Sequence, residues 1–532
     1  MSRKAKISLH PAFRIGEISP RLYGAFLEPI GTMVNGSMYN PKHPTADGKG
    51  YRRDYLDALK ASGLPAVRLP GGNFVSGWNW KNSIGKPENR KVQLDTAWYQ
   101  YYTNEIGHDE YLEWTQMIGA EPMYTINLGT GNLQDAIDIV EYTNHKEGSY
   151  WADLRRANGH EKPYGVKTWY LGNEMDGPWQ IGSWQKDPRG YGVLSHETSK
   201  GMKWTDPTIE TVVCVSSSPF LAHYPQWDLE VLQECYETVD YISLHHYHIA
   251  APGDYAALLG GSIFFEEYID TEIGLCDFLQ TKLRTKKRMM LSFDEYGSRM
   301  QPLGGISSGR GQVWEHTFNP ERQYVRHDPD NMILTRRPGS QSGDILGALT
   351  SASTLLVLLR RADRVKIGCM TRGLGAIAAT DRDHVWKSAS YYPFTQLMRY
   401  GRGVSLRTSV DCETYDIPGY APSHYFQYAS REGIGYVECA AAYDEASGEL
   451  NVFVINRDWN GDTAVELDVG GFAGYSLVEH SQLYTDDIDA VNSYENPNAI
   501  IPTANTDTRL KDGIISANLK KLSWNMFRLR KI

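Results

Sequence analysis

From about residue 22 to residue 400, short apolar runs alternate with stretches whose apolar residues recur at helical spacing. The strand candidates are "RLYGAFLE", "AVRLPGGN", "PMYTINLG", "KTWYLGNE", "TVVCVSSS", "YISLHHYH", "MMLSFDEY" and "RVKIGCMT", eight in all. Between them lie segments such as "DEYLEWTQMIGA" and "LQDAIDIVEYTNH". Strands alternating with helices predict parallel βαβ units, and eight such units are what a closed (β/α)8 barrel needs. An open doubly wound sheet is the alternative, but no GxGxxG follows the first strand to favour it.

After "YYPFTQLMRYGRG" the pattern changes to short alternating segments such as "GELNVFVINR", "DTAVELDV" and "NMFRLRKI", broken by Gly, Asp and Asn. This predicts an antiparallel β-sandwich. The segment "AKISLH" near the start alternates in the same way and is assigned to the sandwich. The expected division is therefore a barrel over residues 18–401 and a sandwich formed by residues 1–17 plus 402–532. Residues 302–344 form a connection too long for an ordinary loop, and their place after the seventh strand predicts a lid over the barrel mouth.

Composition narrows the function. Hydrophobic residues at 41% and charged residues at 22% are ordinary for a globular chain, and 532 residues suffice for two domains. The 14 Trp and 34 Tyr are many, and such flat side chains stack on sugar rings or build a large aromatic core. A net charge of -10 argues against a nucleic-acid surface. The six scattered cysteines form no CxxC, so neither a zinc site nor a disulfide framework is indicated. The start carries basic residues with no apolar stretch behind them, and no run reaches the length of a membrane span. The expected location is the cytoplasm, with no membrane partner.

In a (β/α)8 barrel, reactive residues stand at the C-terminal ends of the strands. Those ends offer Glu28, then Arg68 and Asn73, Asn127, Asn173 with Glu174, His245 with Tyr247, and Asp294 with Glu295. Either glutamate alone reads as a cap or a surface charge. Together, on strands 4 and 7, they face each other across one mouth. Paired carboxylates there are the equipment for glycoside hydrolysis: one protonates the leaving oxygen while the other attacks the anomeric carbon or activates water. A retaining pair stands about 5–5.5 Å apart, an inverting pair roughly 6.5–9.5 Å. Asn173 is placed to hydrogen-bond a sugar hydroxyl, and Arg68 to orient the nucleophile and hold it ionised. Strand alternation sends Asp294 to the side opposite Glu295, in a structural hydrogen bond. It also separates His245 and Tyr247 from His246 and His248, so "LHHYH" does not gather three histidines on a metal. The glycines of "RLPGGN" lack a following P-loop lysine and are read as close packing at the rim.

With these residues assembled, the chain resembles the α-L-arabinofuranosidases of glycoside hydrolase family 51. The likeness is carried by "YGAFLEPIG", "VRLPGGNFVSGWNWKNSIG", "GAEPMYTINLGTG", "WYLGNEMDGPWQIG", "ISLHHY", "LSFDEYGS" and "LLRRADRVKIGC", in that order. The resemblance implies a clan A barrel with a β-sandwich, a retaining mechanism, no metal or other cofactor, and a homohexamer. It makes Glu174 the acid/base and Glu295 the nucleophile. It places Glu28, Arg68, Asn73, Trp98, Asn173, His245 and Tyr247 around the furanose. Where the family carries Ala-Gln on the eighth strand, with the Gln touching the sugar, this chain has Thr371-Arg372, so Arg372 joins the expected substrate contacts. A Trp commonly follows the nucleophile, and here it is Tyr296.

The expected activity is exo-acting, retaining release of terminal non-reducing α-L-arabinofuranosyl residues from arabino-oligosaccharides or arabinoxylan fragments. The alternatives are another glycoside on the same barrel (a galactofuranoside, or an endo-acted β-glucan or xylan) and a non-catalytic sugar-binding protein.

Overall fold

The computed structural model describes residues 3–300, 323–326, 343–421 and 427–532. Each of the eight apolar runs forms a strand: Gly24–Phe26, Ala66–Leu69, Glu121–Thr125, Thr168–Leu171, Glu210–Cys214, Tyr241–Ala250, Met290–Met300 and Val365–Met370. They pair in chain order, all parallel, and the eighth closes on the first through Cys369 opposite Gly24 and Met370 opposite Ala25. The runs are continuous in apolar character because both faces of such a strand are covered. On the fourth strand, Tyr170 joins Phe26, Met123, Val212 and Ile367 in the barrel interior, while Trp169 and Leu171 pack outward in the larger core. The interior is thus filled below the mouth, and the polar strand ends stand on this floor.

The helices Arg53–Ser62, His108–Ile118, Leu133–Asn144, Pro188–Thr205, Gln226–Cys235, Ser262–Leu283, Ile345–Arg360 and Tyr391–Tyr400 follow the eight strands in turn. Their ends are written locally. Asn132 Oδ1 accepts the Asp135 N–H at 3.1 Å and starts its helix. Gly63 and Gly119, at φ 73° and 78°, close theirs in the left-handed conformation.

Ten further strands hydrogen-bond in one continuous order that begins, in the chain, with Arg3–Glu17. That strand runs antiparallel to Val404–Cys412 and parallel to Thr463–Asp468. Residues from distant positions in this order, among them Ile7, Val452, Val465, Ile515 and Phe527, meet in a single apolar cluster. The sheet therefore folds over into two facing layers, a β-sandwich. Strand Glu449–Asn456 divides its side chains by strict alternation. Leu450, Val452 and Val454 enter the sandwich core, and Phe453 and Ile455 enter the barrel's cluster. Between the two bodies lies helix Ile345–Arg360, "ILGALTSASTLLVLLR", buried around nearly its whole circumference. It packs against the barrel on one side and the sandwich strand Val437–Asp444 on the other. A helix apolar all round has no face to offer water.

Among the described residues no helix is long and apolar enough to cross a membrane. The expected lid at residues 302–344 lies outside the described residues apart from 323–326 and 343–344. There Val325 and Arg326 pair with Gln100 and Tyr101, at the edge of a small sheet that follows the second barrel strand.

Candidate active site

Arg68 rises from the second strand into the barrel with no exposed surface. Its guanidinium lies 5.3 Å from the Phe26 ring centre and 5.0 Å from that of Tyr170. Each nitrogen meets a different residue: Nη1 donates to Glu295 Oε1 and Nη2 to Asn173 Oδ1, both at 2.8 Å, and Nε lies 3.0 Å from Asp294 Oδ2. One cation thus ties the ends of strands 2, 4 and 7 together. A planar fork fixes directions that a lysine could not.

The two glycines of "RLPGGN" are explained by what lies against them. A Cβ on Gly71 would overlap the Phe26 ring, and one on Gly72 would overlap the Glu28 carboxylate. Gly72 also sits at φ +70°. Glu28 is buried in this cradle, and its Oε1 accepts Trp98 Nε1–H at 2.6 Å and the Phe74 N–H at 3.1 Å. Burial, followed by the charge of Glu295, pushes Glu28 well above the usual carboxylate range despite those donors.

On the fourth strand, Gly172 at φ +100° precedes the Asn173-Glu174 pair, and Glu174 itself has φ +44°. A non-glycine residue in the left-handed region is strained, and such strain gathers at functional positions. Asn173 Nδ2 donates to Asn73 Oδ1 at 3.3 Å, and Gln180 Nε2 donates to the same oxygen. Trp179 Nε1 donates to Glu174 Oε2 at 2.5 Å. His245 Nδ1 lies 2.9 Å from the other oxygen, Glu174 Oε1, and 3.8 Å from Glu295 Oε2. Tyr247 OH donates to Glu295 Oε2 at 2.7 Å and sits 2.8 Å from Thr371 Oγ1.

The structure overturns the expected direction of Asp294. On the seventh strand, Phe293 pairs with Leu244 and Glu295 with His245, so Asp294 is an extra residue, a β-bulge. Phe293 and Tyr296 both pack outward on Phe265, with ring centres 4.5 and 6.3 Å away. Asp294 and Glu295 consequently both point inward. Asp294 Oδ2 accepts Ser243 Oγ–H at 2.9 Å and lies 3.2 Å from His245 Nε2.

A carboxylate oxygen of Glu174, one of Glu295 and a His245 nitrogen lie within 4.8 Å of one another. The two glutamates differ in surroundings. Burial pushes Glu174 up. The hydrogen bond and charge of His245 pull it back, Glu295 adds to the rise, and the net direction is upward. Glu295 is instead held by Arg68 and Tyr247. Burial alone would lower His245, but Glu295, Asp294 and Glu174 raise it well above the usual histidine range. Burial would raise Asp294, yet Arg68 and His245 bring it below the usual carboxylate range. Tyr247 is pushed far up by burial and by Glu295, so it stays a donating phenol.

The same trio is near enough to suggest a cation site. His245 instead spends both ring nitrogens on carboxylates, Nδ1 facing Glu174 and Nε2 facing Asp294. His246 and His248 stack outward on Phe265 and Phe264, as alternation predicts.

Of the expected residues, Arg68, Asn73, Asn173, Glu174, His245, Tyr247 and Glu295 thus form one connected network, and Glu28 and Trp98 form a hydrogen-bonded pair of their own. Arg372 begins the short helix Gly373–Ile377, half-buried, with its carbonyl accepting the Ala376 N–H at 2.8 Å. Its neighbour Thr371 supplies the contact to Tyr247. Asn127 is spent on loop contacts, its Oδ1 accepting the N–H groups of Gly129, Thr130 and Gly131 and its Nδ2 donating to the Trp78 carbonyl at 2.9 Å. Trp179, Gln180 and, through the bulge, Asp294 join the network as well. The first two return from the loop "MDGPWQ", where an aromatic and an amide closely follow the glutamate.

Comparison with known proteins finds relatives along nearly the whole chain. Residues 56–258 match the model of the α-L-arabinofuranosidase 1 domain, and residues 312–523 that of the α-L-arabinofuranosidase C-terminal domain. The intracellular exo-α-(1→5)-L-arabinofuranosidase 1 of Bacillus subtilis is 37% identical, over 99% of this chain and 99% of its own. An exo-α-(1→6)-L-arabinofuranosidase of Bifidobacterium longum is 30% identical, over 97% and 96%. The solved structure of a family 51 α-L-arabinofuranosidase from Bifidobacterium longum superposes with a TM-score of 0.83, at 29% identity and full coverage of both chains. A barrel with this mouth, and full-length relatives of this kind, lead to one assignment: the chain belongs to the α-L-arabinofuranosidases of glycoside hydrolase family 51.

Proposed function

We propose that this protein is an exo-acting, retaining glycoside hydrolase that removes terminal non-reducing α-L-arabinofuranosyl residues, with Glu295 as nucleophile and Glu174 as acid/base. The observation that carries this reading is the glutamate pair: the two carboxylates approach within 4.8 Å in unlike environments. So close an approach of one oxygen from each glutamate suits direct attack by a retaining pair.

Glu295 attacks the anomeric carbon as the bond to the leaving oxygen breaks, and Glu174 passes its proton to that oxygen. The product is a glycosyl ester on Glu295. Glu174, now a carboxylate, takes a proton from water, the water oxygen attacks the same carbon, and the ester bond breaks. Two inversions give net retention. Arg68 and Tyr247 hold Glu295 through opposite oxygens, which leaves its attacking direction fixed. The environment of Glu174 favours the protonated form that the first step needs. Asn173, Asn73, Glu28 and Trp98 are assigned to the furanose hydroxyls, and Arg372, in the place of the family's Gln, to a further substrate contact.

The substrates are arabino-oligosaccharides or arabinoxylan fragments, in a route of arabinan degradation. Relatives named for α-(1→5) and α-(1→6) exo-cleavage support the class. Names that call such relatives intracellular support a cytoplasmic enzyme. Family resemblance supports a homohexamer. The chain divides into a catalytic barrel over residues 18–401 and a sandwich of residues 1–17 plus 402–532.

The test is a panel of 4-nitrophenyl glycosides: α-L-arabinofuranoside, β-D-galactofuranoside, β-D-xyloside and β-D-glucoside. Fast release from the arabinofuranoside alone is expected, with turnover abolished by Glu295→Ala. Preference for another sugar would overturn the substrate, and turnover surviving in Glu295→Ala would overturn the site.

A further inference from the structure

We propose that Asp294 is a positioning residue that serves both glutamates at once, holding Glu295 through Arg68 and Glu174 through His245. This rests on the roles assigned above to Glu174 and Glu295. The geometry is a branched chain of contacts with one buried carboxylate at the fork. Asp294 Oδ2 lies 3.0 Å from Arg68 Nε and 3.2 Å from His245 Nε2. Beyond those two cations, Arg68 Nη1 reaches Glu295 at 2.8 Å and His245 Nδ1 reaches Glu174 at 2.9 Å. Asp294 touches neither glutamate's reacting oxygen by these contacts, so its influence travels through the cations.

The bulge is what allows this. In regular alternation after the outward-facing Phe293, Asp294 would face inward and Glu295 would be directed at the helices; the extra residue lets both carboxylates face the mouth together. The inserted residue breaks the register with both neighbouring strands, between Phe293 and Glu295 on one side and between Phe293 and Tyr296 on the other. Bulges of this kind re-aim a side chain at the expense of ladder pairing. Here the re-aimed side chain is that of Glu295, which joins Asp294 on the inner side; Asp294 is fully buried, and its remaining partners are hydroxyls: Ser243 Oγ at 2.9 Å and Ser292 Oγ at 3.3 Å.

The function of this placement follows from histidine chemistry. A neutral His245 with its proton on Nε2, toward Asp294, would present a bare Nδ1 to Glu174. That nitrogen would accept the proton that Glu174 must give to the leaving oxygen. With Asp294 ionised, His245 carries a proton on each nitrogen, and Nδ1–H only donates. Glu174 then keeps its own proton for the substrate. The groups facing His245 are Glu174, Glu295 and Asp294. Asp294 is faced by Arg68 and His245, with Tyr170, Cys214 and Cys369 from the fourth, fifth and eighth strands within reach of its charge. Burial keeps those three neutral, the Cys214 thiol being pushed up to about 12. The balance at the fork is therefore between one aspartate and two cations.

The experiment is the full-length enzyme with Asp294→Asn, assayed across pH on aryl α-L-arabinofuranosides of graded leaving-group acidity. The expected result is a fall in kcat on the order of 10²-fold with KM little changed. The loss should deepen as the leaving group becomes poorer, and a new ionisation near the ordinary histidine value of about 6.5 should enter the pH profile. Ser243→Ala, which removes a neutral donor from the same oxygen, should leave the two limbs where they are. A loss equal for every leaving group, with unmoved limbs, would overturn the proposal and leave Asp294 as packing. Neutron diffraction from deuterium-exchanged crystals of the unaltered enzyme decides the matter even if Asp294→Asn does not fold. Deuterium on both His245 nitrogens supports the proposal, and a bare Nδ1 overturns it. Activity surviving in Glu295→Ala would instead remove the reading of the glutamate pair, an outcome independent of the His245 protons.

Discussion

Trp179 turns back along the loop after the fourth strand and donates its indole N–H to Glu174 Oε2 at 2.5 Å. An indole can only donate, so this contact favours the carboxylate over the acid and tempers the rise that burial imposes on Glu174. Trp179→Phe is therefore expected to raise Glu174 further. The acid form would persist to higher pH, and the alkaline limb of kcat/KM would move up by about half to one pH unit. The pH profile on an activated aryl arabinofuranoside checks this, and an unmoved limb would free Trp179 from the titration of Glu174.

Glu174→Ala should separate substrates by leaving group. A nitrophenolate departs with little help, so its first step should be nearly retained. Arabino-oligosaccharides should lose roughly 10²- to 10⁴-fold. Pre-steady-state release of nitrophenolate, compared with arabinose release from an oligosaccharide, measures the split. Equal losses would count against Glu174 as the acid.

Much of this site is legible in the amino-acid sequence, and the reason is physical. The eight strands announce themselves because a barrel strand is covered on both faces, which leaves a continuous apolar run with its polar residues gathered at one end. Arg68, Asn173, Glu174, His245, Tyr247 and Glu295 all stand at such ends. Counting by twos correctly sends His246 and His248 outward. The same counting fails for Asp294, since a bulge adds a residue without leaving a mark in the hydrophobic pattern. Trp179 and Gln180 escape for another reason: their direction depends on how a loop folds back, with Gly177 lying so close to the Trp179 indole that a Cβ there would crowd it.

Gly72→Ala is expected to injure both stability and activity. Its φ of +70° costs an alanine roughly 1–2 kcal/mol of backbone strain, and the new methyl would displace the Glu28 carboxylate. Gly63→Ala is the matched control, at φ +73° with open space around the added atom. Denaturant midpoints should fall for both variants, while kcat/KM should fall only for Gly72→Ala. Intact kcat/KM in Gly72→Ala would mean that Glu28 tolerates displacement.

A second set of buried acids governs pH stability. Asp176, Asp228 and Glu272 have no exposed surface. Asp228 Oδ1 accepts the Ser216 N–H at 2.7 Å and its Oγ–H at 2.6 Å. Burial pushes Asp228 from 3.8 up to about 7, against the Ser216 hydrogen bond and helped by the charge of Asp176. Between about pH 4 and 7 the folded chain therefore holds a proton that the unfolded chain has lost, and stability declines as pH rises through that window. In Asp228→Asn the decline is removed. Its Tm relative to the unaltered enzyme should climb by about 2 °C or more across the window and level off above it. A constant difference from pH 4 to 8 would show that Asp228 does not titrate there.

Helix Ile345–Arg360 has a consequence for how this molecule could be taken apart or rebuilt. It belongs to the barrel by connection, yet part of its apolar circumference is roofed by the sandwich. A chain cut after residue 401 would turn that part toward water, and an exposed apolar surface of this kind drives association. The sandwich is therefore part of the catalytic body's waterproofing. Any module swapped into its place would have to bring an equivalent of Phe453, Ile455, Trp524 and Met526, the side chains through which it now adheres.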